Sequence, residues 1–307
     1  MIVTINDDNV KKRLDVFICE YFKNEFTRAK TAKIIELGYI LVNKIQQKNS
    51  YKLKNNDVIE ILENEIKNFF NQDKELKPFD FNLDIIYQDE YLAVINKPKN
   101  MICHPTKHER ENTLCNALIY NFGLENLSNL SDERPGIIHR LDKNTSGLII
   151  IAKNNFAHEN LSKQIKEKTA KRKYKAIALG EFEKKQGTIN KPLVHYLKEN
   201  VKMTIAKENE GLEAITDFRV LEEFKGATLV ELELKTGRTH QIRAHLKSVN
   251  HPIVGDELYL GVDKSIKTNG QLLFAYKISF VHPTLHKTMT YSCDLPDYFQ
   301  KVLDKLQ

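Results

Sequence analysis

Apolar positions recur along this chain in two rhythms. Near the amino terminus Leu14, Phe17, Ile18, Tyr21 and Phe22 fall three and four apart, which predicts an amphipathic helix. A second helix through Ile35 follows, with Thr27 as its cap and Gly38 as its stop. Short strands are expected at Tyr39–Val42 and Val58–Ile61, with a turn at Asn43-Lys44. Residues 1–64 thus make one small unit of mixed helix and strand, and the polar, poorly periodic residues 65–79 read as a linker. From residue 80 to 307 alternation takes over. LDIIY and YLAVINKP predict a hairpin, and Thr113 caps a helix carrying Leu114, Ala117 and Leu118. Val230, Leu232 and Leu234 share one strand face with glutamates opposite, and Leu272, Phe274, Tyr276, Ile278 and Phe280 share another. Strands outnumber helices without alternating regularly with them. The fold class expected is α+β, with a mixed, mostly antiparallel sheet in the larger domain.

Composition narrows the class. The 307 residues are 41% hydrophobic and 29% charged, enough for a sizeable core. No apolar run nears the roughly 20 residues of a bilayer helix, and MIVTINDDNVKKRLD lacks the order of a signal peptide. Four scattered cysteines fit a reducing compartment, so a cytoplasmic protein without membrane association is expected. A monomer is the expectation taken for its oligomeric state, which the sequence itself does not give. Cys103, His104, His108 and Cys115 lie close in sequence, but adjacent residues point apart on an extended chain and no paired zinc spacing accompanies them; no metal is expected.

The net charge of +6 suggests a polyanionic partner, and its distribution says more. Residues 163–175, KQIKEKTAKRKYK, hold seven basic residues against one acidic. Such a run fits a solvated helix end equally well as a nucleic-acid groove with Tyr174 beside its charges. Arg28, Lys30 and Lys33 similarly make the second helix either an RNA-binding surface or the exposed face of an ordinary α+β cap.

Two stretches carry candidate chemistry. In HRLDKNTSG, between Ile137-Ile138 and Leu148–Ile151, Asp142 sits among Arg140 and Lys143. In LKTGRTHQIRAHLKSVNHPIVGD, Thr239 can cap a helix with Ile242, Leu246 and Val249 as its apolar stripe. His240, Arg243 and Lys247 lie opposite; with Arg238, Gln241 and His245 nearby, a site wall is favoured over a solvated basic face. Phosphate-loop, dinucleotide, nucleophile-elbow and HExxH motifs are missing from the sequence.

HRLDKNTSGLIIIAK resembles the signature of the RluA-type pseudouridine synthases. INKPKNMICHP, KRKYKAIALG, LKTGRTHQIRAHL and HPIVGD resemble that family's other motifs in the expected order, and RLDVFICEYF to NDVIEI resembles the alpha-L domain of ribosomal protein S4 type. Asn43-Lys44 and Phe274 depart from the family, where Asn-Gly and a His are common. The resemblance implies an isomerase that detaches uracil in RNA, turns it and rejoins it through ring carbon 5, without a cofactor. It implies Asp142 as the essential aspartate, Tyr174 as the active-site tyrosine and Arg243 as the arginine paired with the carboxylate. RNA contacts are expected from Arg140, Lys171, Arg172, Lys173, Arg238 and His240, and from Arg28, Lys30 and Lys33. Ribosomal RNA, of the large subunit, is the favoured partner. A synthase acting on transfer RNA and a non-catalytic RNA-binding assembly factor are the alternatives; a nuclease would want a carboxylate cluster for metal, which the sequence lacks.

Overall fold

A computed structural model describes the chain except residues 23–27, 73–75, 107–108, 132, 197–201, 208–209, 262–265 and 267. The Thr27 cap and His108 therefore lie outside the described residues. The chain divides into two compact units, Met1–Glu75 and Leu76–Gln307.

In the first unit, strand β1 (Ile2–Thr4) precedes helices α1 (Leu14–Tyr21) and α2 (Arg28–Glu36), then strands β2 (Ile40–Val42), β3 (Ile45–Gln46) and β4 (Val58–Ile61). The sheet runs β1-β4-β2-β3 with antiparallel pairs throughout. Gly38 ends α2 with a φ of +77°, its N–H returning to Ile35. Asn43 and Lys44 both take positive φ in the β2–β3 turn, so the family's usual glycine position is met here by a lysine in the same left-handed conformation. Residues expected to begin the linker instead form helix α3 (Glu63–Gln72). Ile66 is buried in the unit's core and Phe69 packs edge-on against Tyr39. Two apolar contacts three residues apart fold a segment whose sequence is otherwise polar.

The second unit begins earlier than residue 80, because Leu76 and Phe79 already pack on its core and the Phe79 N–H donates to Asn116 O. In chain order it contains β5 (Asp84–Gln88), β6 (Leu92–Lys97), α4 (Leu114–Phe122), β7 (Ser146–Ala152), α5 (Asn155–Lys166), β8 (Lys171–Leu179) and β9 (Gln186–Asn190). There follow β10 (Leu193–His195), β11 (Met203–Ile205), β12 (Ile215–Phe224), β13 (Ala227–Leu234), α6 (Gln241–Ser248), α7 (Glu257–Leu260), β14 (Leu273–Val281), β15 (Thr288–Ser292) and α8 (Asp297–Leu306). Thr113 caps α4 through a reciprocal capping box with Asn116.

One large sheet organises this unit, in the order β5-β6-β7-β14-β8-β13-β12-β9, with β15 on β14. Every described pair in it is antiparallel except β7 with β14. The α+β class with a mixed, mostly antiparallel sheet is borne out. β7 lies inside the sheet and is buried at all seven positions, which is why LIIIA reads as a continuous apolar run instead of an alternating one.

The parallel junction depends on Gly147. Its φ is +116°, and a methyl group there would stand 2.3 Å from the Ala275 carbonyl oxygen of β14. The glycine of TSG is therefore required by a close backbone approach as well as by a left-handed turn. Gly147→Ala should lower stability by roughly 3 kcal/mol or more; a urea-unfolding midpoint equal to wild type would contradict this.

Candidate active site

Asp142 is delivered by the loop between Ile137 and β7, and five hydrogen bonds fix that loop. The His139 ring accepts the Ile150 N–H on Nε2 at 3.0 Å. The Leu141 N–H donates to Cys103 Sγ at 3.3 Å, and the thiol donates back to Leu141 O at 3.2 Å. Asp142 O accepts from Thr145 N at 3.0 Å, closing the turn. Beneath the loop, the wholly buried Lys97 ammonium donates to Pro98 O (2.8 Å), Met101 O (2.7 Å) and Lys143 O (3.5 Å). Burial pushes its pKa down to about 8. Lys143 turns to the surface and pairs with Glu109 at 2.7 Å.

The partner of Asp142 comes from α6. Arg243 Nη1 donates to Asp142 Oδ2 at 3.1 Å, while its Nε and Nη2 grip Asp256 at 2.7 and 2.8 Å. The guanidinium also lies 5.1 Å from the centre of the Tyr259 ring. Burial opposes the Arg243 charge, but the hydrogen-bonded Asp256 carboxylate, joined by Asp142, outweighs it and holds the pKa above its ordinary value. His240 Nε2 stands 3.9 Å from Asp142 Oδ2; burial lowers the pKa of this histidine against the pull of that carboxylate.

The helix starts differently from expectation. Thr239 is not its cap: α6 begins at Gln241, with His240 in a left-handed conformation at the N-cap and no side-chain cap bond. Gln241 closes this end from inside, accepting from Thr236 Oγ1 and Arg238 N and donating to Ile215 O and Thr216 Oγ1. Residues 241–246 are all buried and Lys247 is exposed, so Arg243 faces the interior as a site wall requires and Lys247 does not join it.

Asp142, His240, Gln241 and Arg243 line a cavity of about 610 Å³ in the second unit, with Tyr174 on its wall. Tyr174 is buried, and burial raises its phenol pKa. Strand alternation sorts the basic run. Arg172 and Tyr174 face the cavity, while Lys173 pairs with Glu231 at 3.1 Å and Lys171 approaches Glu233 at 3.9 Å on the other face. Lys171 and Lys173 are thus not brought to the site. Arg140 is exposed on the cavity rim, and Arg238, also lining it, donates to Glu213 O at 2.9 Å. Arg28, Lys30 and Lys33 are exposed on α2 in the first unit, where Arg28 also reaches Asp15 at 3.4 Å.

Asp256, Tyr259, Cys103, Lys97 and His139 were not singled out as site residues from sequence. The motif HPIVGD contains Asp256, yet nothing local marks it as an arginine clamp. Cys103, weighed as a metal ligand, is instead engaged with the Leu141 backbone.

A sequence model described as RNA pseudouridylate synthase matches residues 91–248. The chain is 36% identical over 306 residues to an uncharacterized RNA pseudouridine synthase, YlyB, of Bacillus subtilis, covering 99% of this chain and 97% of that one. It is 34% identical over 310 residues to the ribosomal large subunit pseudouridine synthase D of Buchnera aphidicola from Acyrthosiphon pisum, covering 96% and 95%. Its namesake in Zymomonas mobilis is 36% identical over 239 residues, covering 75% and 74%. Among solved structures, human RNA pseudouridylate synthase domain containing 4 superposes with a TM-score of 0.57 at 25% identity, covering 72% of this chain and 92% of that one. This chain belongs to the RNA pseudouridylate synthase family and is an isomerase acting on RNA. The RluA-type resemblance of its motifs is borne out.

The buried histidine gives the site a pH signature. Burial, with the Arg172 charge adding to it, pushes the His139 pKa down from 6.5 to about 3. The unfolded chain takes up this proton near pH 6.5 and the folded one only near 3, so stability present above that window is lost as pH falls through it. His139→Gln should flatten the decline in unfolding free energy by roughly 1.4 kcal/mol per pH unit between about pH 4 and 6. Urea titrations at several pH values measure both slopes; parallel slopes would refute the assignment.

Proposed function

We propose that Asp142 opens the glycosidic bond of a uridine in large-subunit ribosomal RNA, and that Arg243 and Tyr174 hold the reacting groups. The observation that carries this reading is the pairing of Asp142 with Arg243 at the cavity wall, a hundred residues apart in sequence. Only Oδ2 of Asp142 accepts a hydrogen bond from a described residue, which leaves Oδ1 for the ribose as nucleophile or base. The N1–C1′ bond breaks, the ring turns on the Tyr174 face, and a C5–C1′ bond forms. N1 gains a proton and C5 releases one, so the reaction is balanced without a co-reactant. Buried Leu141, Leu234, Ile242 and Leu273 line the cavity and exclude water while the base is detached. The exposed basic side chains of α2 support an RNA-binding role for the first unit, of the alpha-L type. The ribosomal target is supported by the names of the Buchnera and Zymomonas relatives.

Large-subunit RNA transcribed with uridine tritiated at C5 should lose label to water with the wild-type protein. Asp142→Asn should slow release by at least about 10²- to 10⁴-fold while RNA retention on filters stays near wild type. Arg243→Lys keeps a charge but cannot grip Asp256 and reach Asp142 together, and should cost about 10²- to 10³-fold in kcat. Release from transfer RNA alone would move the target, and release from neither RNA would leave a binding factor.

A further inference from the structure

We propose that Arg172 is an anion subsite inside the cavity, receiving a phosphodiester of the RNA next to the target uridine. It rests on the synthase reading of the same cavity and adds a ligand contact to it. Arg172 is only 6% exposed, yet its guanidinium makes no hydrogen bond or ion pair with any described residue, and its Nε is sealed from solvent without a partner. A buried, unpaired charge is among the more costly arrangements a fold can retain. The chain nevertheless makes room for it. Gly237 lies under the guanidinium, and a methyl group there would sit 2.9 Å from Arg172 Nη1.

The surroundings are rich in donors and short of acceptors. His139 accepts the Ile150 N–H on Nε2, so its proton is on Nδ1, and that atom is also buried without a partner. Asp142, a carboxylate on this wall, is engaged by Arg243 through Oδ2 and keeps Oδ1 for the ribose, and Glu213 at the rim pairs with Lys168 at 3.0 Å. The missing acceptor must therefore arrive with the ligand. A uracil carbonyl would be served by a neutral donor; a full guanidinium charge is matched by an anion, and the anions of RNA are its phosphodiesters. Arg172 is two residues from Tyr174 on the same strand face, which puts the subsite beside the ring that meets the base.

The test compares tritium-release kinetics of full-length wild type, Arg172→Gln, Arg172→Met and Lys175→Gln on large-subunit RNA over a range of salt. Arg172→Gln should raise KM about 10- to 100-fold with little change in kcat. It should also flatten the slope of log kcat/KM against log salt by about 0.7 to 0.9. Lys175→Gln removes the same charge from the opposite strand face and should leave both unchanged. Arg172→Met should melt no lower than wild type, because it relieves an unpaired charge. An unaltered KM and slope overturns the proposal. A fall in kcat with KM and slope intact also overturns it, in favour of a uracil carbonyl. Lower melting of both Arg172 variants overturns it in favour of a structural role. If wild type itself releases no label, the synthase reading fails instead. The subsite is then decided by filter binding of the same RNA, where equal salt slopes for wild type and Arg172→Gln overturn it.

Discussion

Arg243 holds two carboxylates at once, and the geometry of the site depends on that shared guanidinium. The bidentate grip on the buried Asp256 fixes the plane of the fork, and the remaining Nη1 donor then has one place to point. Asp142 is therefore bonded to a cation that cannot swing away. Lysine offers a point charge on a flexible stem and could not do both. The clamp also joins three parts of the chain, since Asp142 precedes β7, Arg243 lies in α6 and Asp256 follows it before α7.

The loop that presents Asp142 to the cavity is rigid without being packed shut. Here rigidity comes from below. Lys97 gathers three carbonyls, Cys103 exchanges two hydrogen bonds with Leu141, and His139 takes one N–H from β7. None of these contacts uses the Asp142 side chain, so the carboxylate keeps an oxygen toward the cavity. The Cys103 thiol, close in sequence to two histidines, is likewise committed to backbone, at Leu141.

Much of this was legible in the sequence where a local rule decides the structure. Alternation over residues 230–234 and 272–280 gives strands of the large sheet, and helical spacing over residues 14–21 gives α1. Asp142, Tyr174 and Arg243 are embedded in specific motifs and do meet at one cavity. What was not legible depends on tertiary contact. Residues 63–72 fold as a helix because Ile66 and Phe69 find a core, which so polar a segment does not announce. The basic run 163–175 looks like one stripe, but it crosses from α5 into β8, and the change of period sends its charges to different faces. Asp256 has no neighbour in sequence that declares its partner.

Strand β8 carries unlike chemistry on its two sides. Outward, Lys173 and Arg219 of β12 converge on Glu231 of β13, which also accepts from the Tyr276 hydroxyl; inward, Tyr174 stands directly opposite Leu232 at the cavity. A one-residue slip between β8 and β13 would turn Tyr174 outward and thrust lysines among apolar side chains. The partly buried charge ladder centred on Glu231 therefore acts as an alignment code for the cavity side. Errors in strand pairing become all-or-none, leaving no partly active intermediate register for the chain to settle into.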